Sequence, residues 1–104
     1  EARAKRALDH FSLSCARAVA ELATVMGGID GLVFTAGVGE HAAPVRGAIG
    51  ARLAWLGLEI DAAANARHGP RISAAQSRIA CYVIPTNEEL MMARHALALV
   101  RSRA

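Results

Sequence analysis

The chain has 104 residues, 54% of them apolar and only 4% aromatic, and carries a formal charge of +3 from 12 Lys and Arg against 9 Asp and Glu. That length bounds it to one domain, with a core of aliphatic side chains and alanine, and the composition excludes a disordered chain. The only tight basic cluster is Arg3, Lys5 and Arg6, no aromatics interleave with the charges, and no apolar run approaches the roughly 20 residues of a membrane helix, so neither nucleic acid nor a membrane is an expected partner.

Residues 4 to about 26 read as a long helix. Leu8, Phe11, Cys15, Ala18, Leu22 and Val25 recur at three- and four-residue spacing and predict one apolar stripe, with Arg6, Asp9, Arg17 and Glu21 off it. Gly27-Gly28 predicts the helix end. His10 lies beside the stripe and reads as a surface residue. Ile29 to Thr35 is short, apolar and β-branched, which suits a strand covered on both faces of a parallel sheet. After the glycines that follow it, Ala43 to about Leu56 reads as a helix with Pro44 in its first turn and Val45, Ile49, Leu53 and Leu56 inward. Gly47 and Gly50 each weaken that helix by about 1 kcal/mol relative to alanine. Trp55 reads as a packing anchor, and Gly57 ends the helix.

Leu58 to Asp61 is extended, Ala62 to Arg67 gives one or two helical turns, His68-Gly69-Pro70 a turn, Arg71 to Ser73 a short strand, and Ala74 to Ser77 a loop. This middle section reads as a surface elaboration without chemistry. Ile79 to Ile84 is the second confident strand. Thr86 and Glu89 then fit a capping box at the start of a last helix to about Arg101, with Leu90, Ala93, Leu97 and Val100 inward. The order is α-β-α, a small central elaboration, then β-α, an α/β pattern with a parallel sheet. Two strands alone leave an unpaired edge on each, so the pattern predicts half of a larger sheet and self-association through its edges. Cys15 and Cys81 sit in apolar contexts without metal-ligand spacing and read as two buried free thiols of a reducing cytoplasm. The chain opens without a signal-like segment, and it does not begin with Met, which predicts a fragment of a longer chain.

The stretch with chemistry is Val33-Phe34-Thr35-Ala36-Gly37-Val38-Gly39-Glu40-His41: a buried strand breaking into a glycine loop that opens a helix. Glycine has no Cβ, so such a loop lets backbone N–H groups approach an anion. No lysine follows the glycines, which excludes a Walker P-loop. Gly37-x-Gly39-x-x-Ala42 matches the letters of a Rossmann-type dinucleotide fingerprint, with Glu59 or Asp61 near the distance of its acid. Against that reading, Glu40 places a carboxylate beside the pyrophosphate, and the chain opens with a helix where the Rossmann unit opens with its strand. A third reading uses Pro85-Thr86-Asn87-Glu88-Glu89-Leu90. If Glu89 is spent on the capping box, Glu88 is spare at the end of the sheet where the glycine loop also sits. A phosphate-cradling loop and a spare carboxylate on one edge suit a magnesium nucleotide. A non-catalytic interaction domain of the same shape is the remaining alternative.

At these two motifs the sequence resembles a known family. VFTAGVGEH is similar to the VFTGGIGEN-type loop of acetate kinases, and IPTNEELMMAR resembles their C-terminal IPTNEEL motif. The opening, Ala2 to Leu8 through Met26-Gly27-Gly28-Ile29-Asp30, looks like the family's long helix and its MGG-(I/V)-D turn. The resemblance covers nearly the whole chain, and propionate kinases share it. It implies part of a ribonuclease H-like domain of the sugar kinase–actin–chaperone superfamily, the nucleotide-binding second domain of a cytoplasmic, homodimeric phosphotransferase. Such an enzyme uses ATP and Mg²⁺ to phosphorylate acetate or propionate, giving acyl phosphate and ADP. The family's ATP loop falls on Gly37, Val38, Gly39, Glu40 and His41, and its magnesium-associated glutamate on Glu88. His41 and Ala42 depart from the usual asparagine and serine. The arginines and histidine that stabilise the transferring phosphoryl group in the family have no counterpart here. The resemblance therefore implies no catalytic residue in this segment and no activity of the segment alone.

Overall fold

The computed structural model describes residues 2–86. Helix α1 spans Ala2–Met26, β1 Gly31–Thr35, α2 Ala36–His41, α3 Ala43–Arg52, a 3₁₀ turn Ala54–Leu56, α4 Ala62–Ala66 and β2 Ala80–Ile84. The last helix expected from the sequence, with Glu88 and Glu89, lies outside the described residues. No helix among them is long and apolar enough to cross a membrane.

Strands β1 and β2 pair in parallel, Gly31 opposite Ala80 through Thr35 opposite Ile84. Leu32, Phe34, Cys81 and Val83 face one way and join a core with Ala16 of α1, Ile49 and Leu53 at α3, and Leu58, Ile72 and Ile79. The opposite face is more open: Val33 is 49% exposed, and Tyr82 is half-buried. Only the first face matches the expectation of a sheet covered on both sides.

Helix α1 ends where the glycines put it. Gly27 and Gly28 take φ of 80° and 128°, and Gly28 N–H donates to Ala23 O at 2.7 Å, the six-to-one bond of a Schellman cap. Its inward stripe differs from the predicted one. Ser12, Ala16 and Ala23 are buried, whereas Phe11 is 45%, Leu22 60% and Val25 79% exposed. Apolar residues cover more of this helix than one stripe needs. The small ones face α3, its main packing partner, because they let two helix backbones approach. The inner stripe of α3 is as expected: Ile49 and Leu53 are buried, Val45 and Leu56 partly so. Trp55, expected as an anchor, is 70% exposed. It sits in the 3₁₀ turn that replaces the predicted end of α3, and that change of pitch carries the indole outward.

The middle segment is more than decoration. Asp61 caps α4, accepting from Ala64 N–H at 3.0 Å. Ile60 bridges antiparallel to Ser73, and Arg71 to Tyr82. Ile72 N–H donates to Cys81 O at 2.9 Å and Val83 N–H to Pro70 O at 2.7 Å, so residues 70–73 cover the outer edge of β2. Among the described residues only β1 lacks a pairing on its outer side. Two open edges were expected; the chain covers one itself. Both cysteines are free thiols, as expected, but only Cys81 is fully buried; burial pushes its pKa up to about 11.

Candidate functional site

The site is built at the end of β1. The loop expected there is a short helical stretch, α2, kinked at its start and separated from α3 by Ala42. Ala36 takes φ of 58°, a left-handed conformation that is costly for a residue with a Cβ. Gly37 follows at φ 38°, ψ −112°, a conformation open in practice to glycine alone. A Cβ built on Gly37 meets nothing within 4 Å, so the side of the loop at this residue is open.

Gly39 is a different case. Its φ is not positive, and a Cβ there would lie 3.4 Å from the backbone carbonyl carbon of Phe34, within ordinary contact. The fold therefore accepts alanine at Gly39.

Glu40 joins the two sequence motifs. Its carboxylate accepts from Thr86 N–H at 3.1 Å and from Thr86 Oγ1–H at 2.5 Å. The Thr86 hydroxyl holds the Glu40 pKa below the ordinary carboxylate range; slight burial opposes this, while Thr86 N–H and the nearby His41 reinforce it. Thr86 N–H, the donor that the expected capping box offers to Glu89, donates here to Glu40, while Glu89 itself lies outside the described residues. Thr35 stands opposite Ile84, so the glycine loop and the Pro85-Thr86 segment leave the sheet at the same end. Ligands of parallel sheets bind at this end.

Behind the loop lies a residue that the sequence reading passed over. Arg46 of α3 is fully buried. Its Nε donates to Asn65 Oδ1 at 2.7 Å, NH1 to Gly39 O at 3.1 Å and NH2 to Asn65 O at 2.7 Å; NH2 also lies 2.8 Å from His68 Nδ1. That last contact makes Nδ1 the acceptor and puts the proton of a neutral His68 on Nε2. Asn65 Nδ2 donates in turn to Ala43 O at 2.9 Å. The rings of His41 and His68 meet edge to face, 6.5 Å between centroids. A signal for this cluster existed in an arginine beside the inner stripe of an apolar helix, but its partners lie 19 and 22 residues away and no periodicity connects them.

Gly37, Val38, Gly39, Glu40 and His41 are thus contiguous in one open turn beside Thr86. Glu88 falls outside the described residues, among which no group of three or more His, Cys, Asp and Glu could hold a metal ion. The acids required by the dinucleotide fingerprint are placed elsewhere. Asp61 caps α4, and the segment holding Glu59 pairs with the Ser73 region rather than with β1.

The profile described as the Acetokinase family matches residues 1–94. The acetate kinase of Rhizobium meliloti is 54% identical over 91 residues, covering 88% of this chain and 23% of that protein. The acetate kinase of Nitrobacter hamburgensis is 45% identical over 102 residues, 98% of this chain and 25% of that protein. Among solved structures, a propionate kinase from Francisella tularensis subsp. tularensis SCHU S4 superposes with a TM-score of 0.78 at 41% identity, covering 88% of this chain and 23% of that one. Porphyromonas gingivalis acetate kinase gives 0.75 at 32% identity, covering 94% and 25%. The chain therefore spans about a quarter of the length of the curated relatives it matches.

Proposed function

Since the chain belongs to the acetokinase family, we propose that it is the ATP-cradling segment of a phosphotransferase that converts acetate or propionate and ATP to acyl phosphate and ADP. The observation that carries this reading is the pair of bonds from Thr86 to Glu40, which holds the glycine loop against the Pro85-Thr86 start of the second motif at the ligand end of the sheet.

The residues fit a nucleotide in two respects. The backbone is open at Gly37, and the missing Cβ at Gly39 is not demanded by the fold. Gly37, Val38 and Gly39 would let the loop backbone approach the phosphates. Glu40 turns its carboxylate to Thr86, which relieves the repulsion that a free acid in this loop would impose on an anion. His41 would lie at the loop's far end, where its ring can hydrogen-bond the nucleotide. Glu88 would hold Mg²⁺ through water; the ion would neutralise charge on the phosphate oxygens.

Phosphoryl transfer depends on positioning and on positive charge spread around the transferring group. This segment supplies the nucleotide half of that arrangement, and alone it forms no acyl phosphate. The complete enzyme would be a cytoplasmic homodimer whose second domain is ribonuclease H-like. The test is magnesium-dependent ADP binding by calorimetry, with Gly39→Ala and Glu88→Ala. The reading requires binding that is lost in the first variant and weakened in the second. Unchanged binding by Gly39→Ala, whose fold tolerates the methyl, would remove the loop from the site.

A further inference from the structure

Arg46 is a charged group in an expensive place. It is fully buried, no carboxylate among the described residues accepts from it, and four of its five N–H groups are aimed at neutral acceptors. Burial lowers its pKa, yet a guanidinium stays charged in a protein. Burying a cation without a counter-ion opposes folding, and an apolar side chain of similar volume would fill the same space without that cost. What leucine or methionine cannot do is join three separate parts of the chain in one rigid plane. The guanidinium holds the Gly39 carbonyl of the loop, the Asn65 carbonyl and side chain of α4, and the His68 ring beyond it. Asn65 is itself buried and tied to Ala43, so the clamp is anchored at both ends of its reach.

We propose that Arg46 is the positioning residue of the nucleotide loop. It grips the Gly39 peptide from behind and keeps the loop in its ligand-bound shape before the ligand arrives. Its uncompensated positive charge, one hydrogen bond behind the loop, favours the phosphates in front. The inference rests on reading the loop as a nucleotide cradle. Pre-shaping a loop removes the ordering cost from the binding step and so appears as affinity. The middle segment thereby gains a role, because Asn65 and His68 hold the residue that holds the loop.

The test is Arg46→Lys in the full-length protein. Lysine keeps the charge but cannot serve a planar set of acceptors. Three quantities are compared with wild type: ADP affinity by calorimetry, amide exchange of Gly39 and Glu40 without ligand, and the melting temperature. The expected result is an ADP Kd raised about tenfold and faster exchange at the loop amides, with exchange in β2 unchanged. A folded variant with wild-type affinity overturns the inference, since a purely structural arginine would lower the melting temperature and leave the Kd alone. Should Arg46→Lys fail to fold, His68→Ala decides. This residue is exposed, and its loss removes one acceptor; a Kd raised about threefold supports the proposal and an unchanged Kd overturns it. If wild type itself binds no ADP, the cradle reading falls and the inference falls with it. Wild-type binding combined with unaltered variants overturns the inference alone.

Discussion

Two glycines one turn apart in α3, equal in sequence terms, should respond unequally to alanine. At Gly47 a built Cβ lies 3.6 Å from Asn65 Nδ2, an ordinary contact; at Gly50 it lies 2.2 Å from Ile60 Cδ1 and 2.9 Å from Cγ1. Restoring a carbon contact of about 3.5 Å requires Cδ1 to retreat by about 1.3 Å. A cleft of about 290 Å³ bordered by Gly47, Gly50, Ala54 and Ile60 gives Cδ1 room to swing. The Cγ1 clash remains after such a swing and needs a change of χ1, which β-branching makes stiff. The backbone around Ile60 gives little, being fixed by Asp61 N–H to Ile72 O and Ala74 N–H to Glu59 O, both 2.8 Å. Overpacking of this kind costs about 1–3 kcal/mol. Both substitutions gain about 1 kcal/mol of helix propensity, so that gain cancels between them. Gly47→Ala should therefore exceed Gly50→Ala in stability by about 1–3 kcal/mol, the packing cost alone. In urea denaturation, at a slope of about 1 kcal/mol per M, the midpoints should stand about 1 M or more apart. Midpoints that coincide, or Gly50→Ala the more stable of the two, would refute the reasoning.

Glu40→Gln should be less stable than wild type near neutral pH, with the gap closing in acid. The Glu40 pKa is depressed in the folded state, so its contribution is complete above the ordinary glutamate value of about 4.3 and disappears as pH falls through the folded value. Urea titrations between neutrality and pH 2 test this, and a gap that widens on acidification would reverse the sign. Ser12→Ala should raise stability by about 1 kcal/mol, because the buried Ser12 hydroxyl finds no partner among the described residues and alanine is the better helix former. Thermal melting checks it, and a fall would show that the hydroxyl is satisfied. Ala36→Gly should stabilise by up to about 1 kcal/mol by relieving the left-handed backbone, again read by melting; a loss would mean that the entropy of the unfolded glycine outweighs that relief.

What could be read from the sequence was local. Gly27-Gly28 ends α1, the apolar runs are β1 and β2, and Ile49 and Leu53 point inward, because each depends on neighbours within a turn or two. The face of α1 was misread because choosing between two apolar flanks depends on how closely α3 approaches, and that selects alanines over Phe11 and Leu22. At the site, the loop was evident from its glycines, but the separate reasons for Gly37 and Gly39 are a matter of backbone angle and of contact with Phe34. The Glu40–Thr86 bonds span 46 positions and the Arg46–His68 contact 22, and chemistry at that range leaves no spacing to recognise.

The strap formed by residues 70–73 along β2 also sets a valency. A sheet with two available edges can add strands at both and lengthen without end. Here one side is occupied by Pro70, Ile72 and the bridge from Arg71 to Tyr82, so among the described residues docking by strand pairing is limited to β1. Two such molecules meeting edge to edge at β1 would each consume the one edge that no described strand covers. Assembly by this route halts at a closed pair, and a strand supplied by further polypeptide at β1 would preclude even that.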